Sequence, residues 1–136
     1  MNIPLPTAGL VVVRDNKLLL AYSKNKNAWY LPGGKIDRDE TAQEGLIREI
    51  KEELNLTLDT HRLRYYCHTT APAYGEESNI IMEQECFIYN LEEVIEPSNE
   101  IGAVKYFDLP TYKLEDAQVP GVLYIFEQLK KDELLK

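Results

Sequence analysis

Residues 34–56, GKIDRDETAQEGLIREIKEELNL, commit this chain to a helix with acid crowded along one edge. Glu49, Glu52 and Glu53 fall within an arc of about 100° when each residue turns the helix by about 100°. Carboxylates brought that close repel one another unless positive charge lies among them, and a divalent cation is the natural partner. Taken alone, such an arc also reads as a solvated acidic face. The neighbouring residues decide between the two.

Leu46, Ile47, Ile50 and Leu54 form an apolar stripe beside the acids, so the helix packs with its carboxylates at the rim of the buried zone. Thr41 followed by Glu44 spells a capping box with Thr41 as N-cap. Arg48 stands one turn from both Glu44 and Glu52 and is expected to bridge them. Asn55 occupies the position after the helix where Gly is commonest and Asn next best. Upstream, Pro32-Gly33-Gly34 reads as a tight turn that lets bare backbone approach a ligand or metal.

The segment resembles the Nudix box, G-x5-E-x7-R-E-U-x-E-E-x-G-U with U aliphatic. Gly34, Glu40, Arg48, Glu49, Ile50, Glu52, Glu53 and Leu56 stand on its fixed positions, and Asn55 alone departs, replacing a Gly. The preceding Trp29-Tyr30-Leu31-Pro32-Gly33 is similar to the family's usual lead-in. The resemblance implies an α/β fold, a mixed sheet sandwiched between helices, and a hydrolase acting on acid anhydrides.

The chemistry fits the residues. Hydrolysing a phosphoanhydride means bringing water to phosphorus against the negative charge of a phosphate chain. Mg²⁺ or Mn²⁺ lowers the pKa of that water and screens the phosphate oxygens, and magnesium favours carboxylate and carbonyl oxygen. Glu49, Glu52, Glu53 and the carbonyl of Gly33 would supply such ligands. The resemblance carries the metal-binding role to those carboxylates. It gives Glu40 and Arg48 the task of orienting them through charge-assisted hydrogen bonds. Pro97-Ser98-Asn99-Glu100-Ile101 resembles a downstream stretch where a glutamate completes the site or serves as general base. Arg48, Glu49 and Glu100 are therefore the candidate catalytic residues. Which glutamate is the base, Glu49 or Glu100, stays open at this level, as does the number of metal ions.

Composition restricts the partners. Lys plus Arg number 15 against 23 Asp plus Glu, a net charge of −8, which argues against a broad nucleic-acid footprint or an anionic membrane surface. Cys67 and Cys86 show neither CxxC spacing nor a disulfide framework and read as reduced thiols. No apolar run approaches membrane-spanning length and no secretory leader is evident, so a cytoplasmic protein is expected. A chain of 136 residues suits one domain, 1–136, and a homodimer is compatible with it.

Strands are expected over 8–14, 17–23, 62–70, 79–91 and 101–109, with Asp15-Asn16 as a turn and loops at 71–78 and 93–99. Two helices are expected, the box helix and a C-terminal amphipathic helix opened by Pro120. Glu83 and Glu85 alternate along a strand and point to one face, read as solvated. His61 and His68 are too isolated to be given a role.

The substrate cues conflict. Tyr22, Trp29, Tyr30 and Tyr74 are aromatics available to stack on a base, with Tyr30 and Tyr74 the candidates for substrate contact. In the family a proline downstream of the box is associated with ADP-ribose and a slightly later tyrosine with dinucleoside polyphosphates; Pro72 and Tyr74 match both. The small size resembles MutT-type nucleoside triphosphate pyrophosphohydrolases. A metal-dependent pyrophosphohydrolase of a nucleotide is the expected function. The alternative is a non-catalytic nucleotide-binding module, which would be expected to lose box carboxylates that this chain retains.

Overall fold

A computed structural model describes residues 1–136. In chain order the elements are β1 (Ile3–Val11), β2 (Val13–Arg14), β3 (Lys17–Ser23), β4 (Ala28–Tyr30), β5 (Gly33–Lys35), α1 (Ala42–Leu54), β6 (Leu63–Pro72), β7 (Ile80–Tyr89), β8 (Ile101–Phe107), α2 (Leu109–Tyr112) and α3 (Pro120–Lys131). One sheet runs β5-β1-β7-β6, parallel only between β1 and β7; the second centres on β3, which pairs with β2, β4 and β8, all antiparallel.

Two buried clusters flank the sheets. Leu46, Ile50 and Leu54 of α1 pack on Ala8, Leu10, Leu19, Ala21, Phe87 and Tyr89. On the other side Val122, Ile125, Phe126 and Leu129 of α3 pack with Val11, Leu18, Leu20 and Phe107. Each fully buried leucine-sized side chain contributes about 1.5–3 kcal/mol. β3 feeds both clusters, which explains its uninterrupted run Leu18-Leu19-Leu20-Ala21, buried on both faces. The α/β sandwich expected from the sequence is what forms.

Several boundaries differ from expectation. β1 starts at Ile3 rather than residue 8, passing through Pro4 and Pro6. Ile3 N–H bonds toward β7 (Asn79 O, 2.7 Å) while Leu10 N–H bonds the other way, to Pro32 O at 2.8 Å. Pro4 and Pro6 share the phase of Leu10, so their missing N–H groups face the side where β5 pairs only with Thr7–Gly9. Pro32-Gly33-Gly34 is not a free turn, because Gly33–Lys35 is a strand paired to Thr7–Gly9. The last strand ends at Phe107, and residues 109–112 form a third, short helix capped by Asp108, whose carboxylate accepts from Thr111 N–H at 2.9 Å. Asp15 and Asn16 both take positive φ (51° and 62°), as a two-residue hairpin turn requires.

Candidate active site

The local code of α1 fixes its ends. Thr41 Oγ1 accepts from Glu44 N–H at 3.1 Å and Glu44 Oε1 accepts from Thr41 N–H at 2.9 Å, closing the capping box. Asn55 ends the helix in the left-handed region, φ 54° and ψ 35°. The loop before β8 then satisfies the helix's last carbonyls. Ser98 Oγ and Asn99 Nδ2 donate to Glu52 O at 2.6 and 2.8 Å, Ser98 N–H to Glu53 O at 2.8 Å, and Glu96 N–H to Leu54 O at 2.9 Å. Asn55 Nδ2 returns a bond to Glu96 O at 2.8 Å. These bonds seat the loop on α1 and bring Glu100 to the cavity beside Glu53. Glu100 itself accepts from Asn25 Nδ2 at 2.5 Å.

Arg48 does not bridge Glu44 and Glu52 as the helical spacing suggested, because Glu44 is spent on the cap. Its guanidinium forks onto Glu40, Nε to Oε2 at 2.7 Å and Nη2 to Oε1 at 2.8 Å, and donates to Glu49 Oε1 at 2.9 Å and Lys35 O at 3.0 Å. Glu52 lies at 3.6 Å, and its carboxylate is half exposed. The Arg48 fork and the Asp37 N–H hold the Glu40 carboxyl down at about 2.

Glu53 is the opposite case. It is 6% exposed, and its Oε1 accepts from Gly33 N–H at 3.2 Å. Burial pushes its carboxyl up to about 8; the Gly33 bond opposes this, and Glu49, Glu100 and Glu52 add like-charge repulsion. Burial also raises Glu49, with Arg48 pulling against it. The glycines make room: a Cβ on Gly34 would lie 2.3 Å from Glu49 Oε2, and one on Gly33 (φ 139°) would lie 2.1 Å from Ala8 O.

Glu49, Glu52, Glu53 and Glu100 thus gather near one guanidinium, which Glu40 already engages. This oxygen-only donor set, partly buried and short of positive charge, suits a hard divalent cation. No trio of these side chains is drawn together at ligating distance, since Arg48 holds Glu49 and the Gly33 N–H holds Glu53.

Beside the acids opens a cavity of about 440 Å³, within the range of small-molecule sites. Gly33, Gly34, Lys35, Glu53 and Glu100 line its acidic end; Tyr30, Tyr74, Lys26, Thr7, Met82 and Gln84 line the rest. Tyr30 and Tyr74 meet edge to face with centroids 6.2 Å apart, and Tyr30 Oη donates to Tyr74 O at 3.2 Å. Lys26 Nζ reaches Gly75 O at 3.2 Å and Glu76 at 3.6 Å across the mouth.

Other candidates lie elsewhere. Tyr22 and Trp29 stack edge to face at 5.3 Å and Trp29 on Phe107 at 5.0 Å, and none of these three lines the cavity. Pro72, at the exposed end of β6, is also outside it. Glu83 and Glu85 occupy the face of β7 opposite Met82 and Gln84, where they bracket His68 at 2.7 and 2.9 Å. Gln84, Thr7, Lys26 and Asn25 were not singled out from the sequence. The one available signal was Gln84 itself, an amide in phase with the apolar Met82 and Cys86 on a strand.

A family profile described as NUDIX domain matches residues 4–129. A MutT-like protein of Streptomyces ambofaciens is 30% identical over 112 residues, 74% of this chain and 73% of that protein. An RNA pyrophosphohydrolase of Marinomonas sp. is 41% identical over 59 residues, which span 43% of this chain and 35% of that protein. The MutT protein of Methanosarcina mazei has the same fold, with a TM-score of 0.77 at 18% identity over 97% of this chain and 96% of that one. Sandwich, box helix and acid cluster define a hydrolase of pyrophosphate bonds. The chain belongs to the Nudix family.

Proposed function

We propose that this protein is a nucleoside triphosphate pyrophosphohydrolase, acting as a single Nudix domain on a nucleotide held in the cavity between Tyr30, Tyr74 and the acidic end. The observation that carries this reading is the continuity of the two: the buried Glu53 and the loop-borne Glu100 line the same cavity as the aromatic pair. Nudix hydrolases generally use divalent metal. Here Glu49, Glu52, Glu53 and the main chain at Gly33 would hold Mg²⁺ or Mn²⁺, which supplies charge for the phosphate oxygens and lowers the pKa of the attacking water. Arg48 and Glu40 keep Glu49 oriented. The Glu100 carboxylate is free of any arginine and bonded only to Asn25, which suits it to take the proton from water. Tyr30 and Tyr74 would contact the base or sugar, while Lys35, at the acidic end, offers a cation to the phosphates.

The test is turnover with Mg²⁺ and with Mn²⁺ across nucleoside triphosphates, ADP-ribose, dinucleoside polyphosphates and a 5′-triphosphorylated RNA oligonucleotide. A triphosphate should give the highest kcat/KM, with pyrophosphate released. A higher value for ADP-ribose, a dinucleotide or the RNA end would replace this substrate reading, and no turnover of any of them would favour a binding module.

A further inference from the structure

Gln84 is a buried polar side chain of the cavity that the hydrolytic chemistry does not use. It is 8% exposed and stands on β7 in line with Met82 and Cys86. Its neighbour across the β1–β7 pairing on the cavity side is Thr7, also buried, and both line the cavity. The amide is held from two directions. Oε1 faces the buried Cys86 thiol at 3.8 Å. Nε2 lies over the bare backbone of Gly9, 2.9 Å from where a side chain there would begin, with Leu31 alongside. Gly9 thus leaves room for the amide, and Nε2 has no acceptor from the protein. Nε2 is open to the cavity, so a ligand that covers it must present an acceptor or leave the donor unpaired.

Resting on the reading of the cavity as a nucleotide site, we propose that Gln84 is a specificity-determining residue whose amide donates to an exocyclic carbonyl of the base, so that this protein favours bases carrying a carbonyl over those carrying an amino group at the same ring position. Guanine, hypoxanthine, uracil and thymine present such an acceptor; adenine and cytosine present an amino donor there. Against Nε2 the amino group sets donor against donor, and by displacing solvent it leaves the amide unpaired. A site built around one such bond discriminates more steeply than an apolar pocket does.

Inosine and adenosine differ at the 6-position, carbonyl against amino, and at the adjoining N1, which carries a hydrogen only in inosine; as nucleosides they carry no phosphate, so their binding needs neither metal nor turnover. Titrating each into ¹⁵N-labelled protein should shift the Gln84 side-chain NH₂ resonance with inosine and give at least about tenfold tighter binding than adenosine. Gln84→Leu should level the two affinities. Gln84→Met, close to glutamine in length and without a donor, should level them as well. Equal binding of both nucleosides to the parent, binding of neither, or an unchanged preference in Gln84→Leu overturns the inference. The turnover panel above judges the hydrolase reading separately, because it succeeds or fails whatever the nucleosides do. Native-like amide dispersion of each variant excludes misfolding as the cause.

Discussion

Arg48 divides the acids of the box into two populations. Glu40 is paired and held at about 2, whereas Glu53 is buried, lacks a cation and is pushed up to about 8. Glu53 is therefore the acid with most to gain from a metal. Glu53→Gln should therefore preserve the fold, because a glutamine oxygen can still accept from Gly33 N–H, while turnover falls at least about 100-fold through loss of a charged ligand. Glu52→Gln should behave alike. Circular dichroism with steady-state kinetics checks both; full activity in either variant removes that residue from the ligand set. Glu49 and Glu100 separate by a different measurement. Glu49 is tied to Arg48 and packs against Gly34, whereas Glu100 arrives on a loop. Glu49→Gln should weaken Mn²⁺ binding as well as rate, and Glu100→Gln should lower the single-turnover rate with a smaller change in Mn²⁺ affinity. Normal Mn²⁺ binding by Glu49→Gln together with parent rates in Glu100→Gln would reverse the two roles.

At the scale of elements, what was legible in sequence was what is encoded locally. The capping box, the apolar stripe and the left-handed Asn55 are short-range signals, and each is present in the structure. The strand at Gly33–Lys35 was not legible, since its pairing partner Thr7–Gly9 is distant in the chain and two glycines carry no strand propensity. Nor was the true partner of Arg48, because Glu44 had two candidate uses and the cap took it. Gln84 escaped for a like reason: only the packing of β1 against β7 places it over Gly9. The loop at 96–99 shows most clearly what residue types alone leave out. Its Ser98 and Asn99 are ordinary loop residues until they meet the open carbonyls of α1. Asn55 links both ends of that contact, which makes it testable. Asn55→Ala keeps the Cβ but loses the polar side chain that makes Asn tolerant of the left-handed conformation, together with the bond to Glu96, and should destabilise by about 1–2 kcal/mol in urea unfolding. Asn55→Gly, which relieves backbone strain while losing the same bond, should stay within about 0.5 kcal/mol of the parent. Equal losses in the two variants would mean that the left-handed conformation is unimportant there.

Across the whole molecule, a net charge of −8 leaves many acids without a cation, and the acid side of its pH response should trace in part to those that are paired. The clearest lies far from the cavity, at the junction of β6 and the segment after β7. Arg62 forks onto Glu93, Nη1 to Oε1 at 3.0 Å and Nη2 to Oε2 at 2.7 Å, and Tyr89 Oη donates to Glu93 Oε2 at 2.7 Å. The guanidinium also covers the Tyr89 ring, 4.8 Å from its centroid. The Arg62 bonds, helped by Tyr89, hold the Glu93 carboxyl down at about 2, below its ordinary value of 4.5. A depressed carboxyl stabilises the fold fully above its unfolded pKa, and that contribution is lost as pH falls from about 4.5 toward about 2. Glu93→Gln should therefore lower Tm at neutral pH, and the gap to the parent should close progressively over that acid window, in the direction of falling pH. Thermal unfolding of both proteins at a series of pH values from neutral to about 3 measures it, within the range where the paired carboxylate titrates. A gap that is constant over the series would mean that Glu93 acts through packing against Tyr89 rather than through its charge. A gap that widens toward acid would have the wrong sign for a carboxylate held by Arg62.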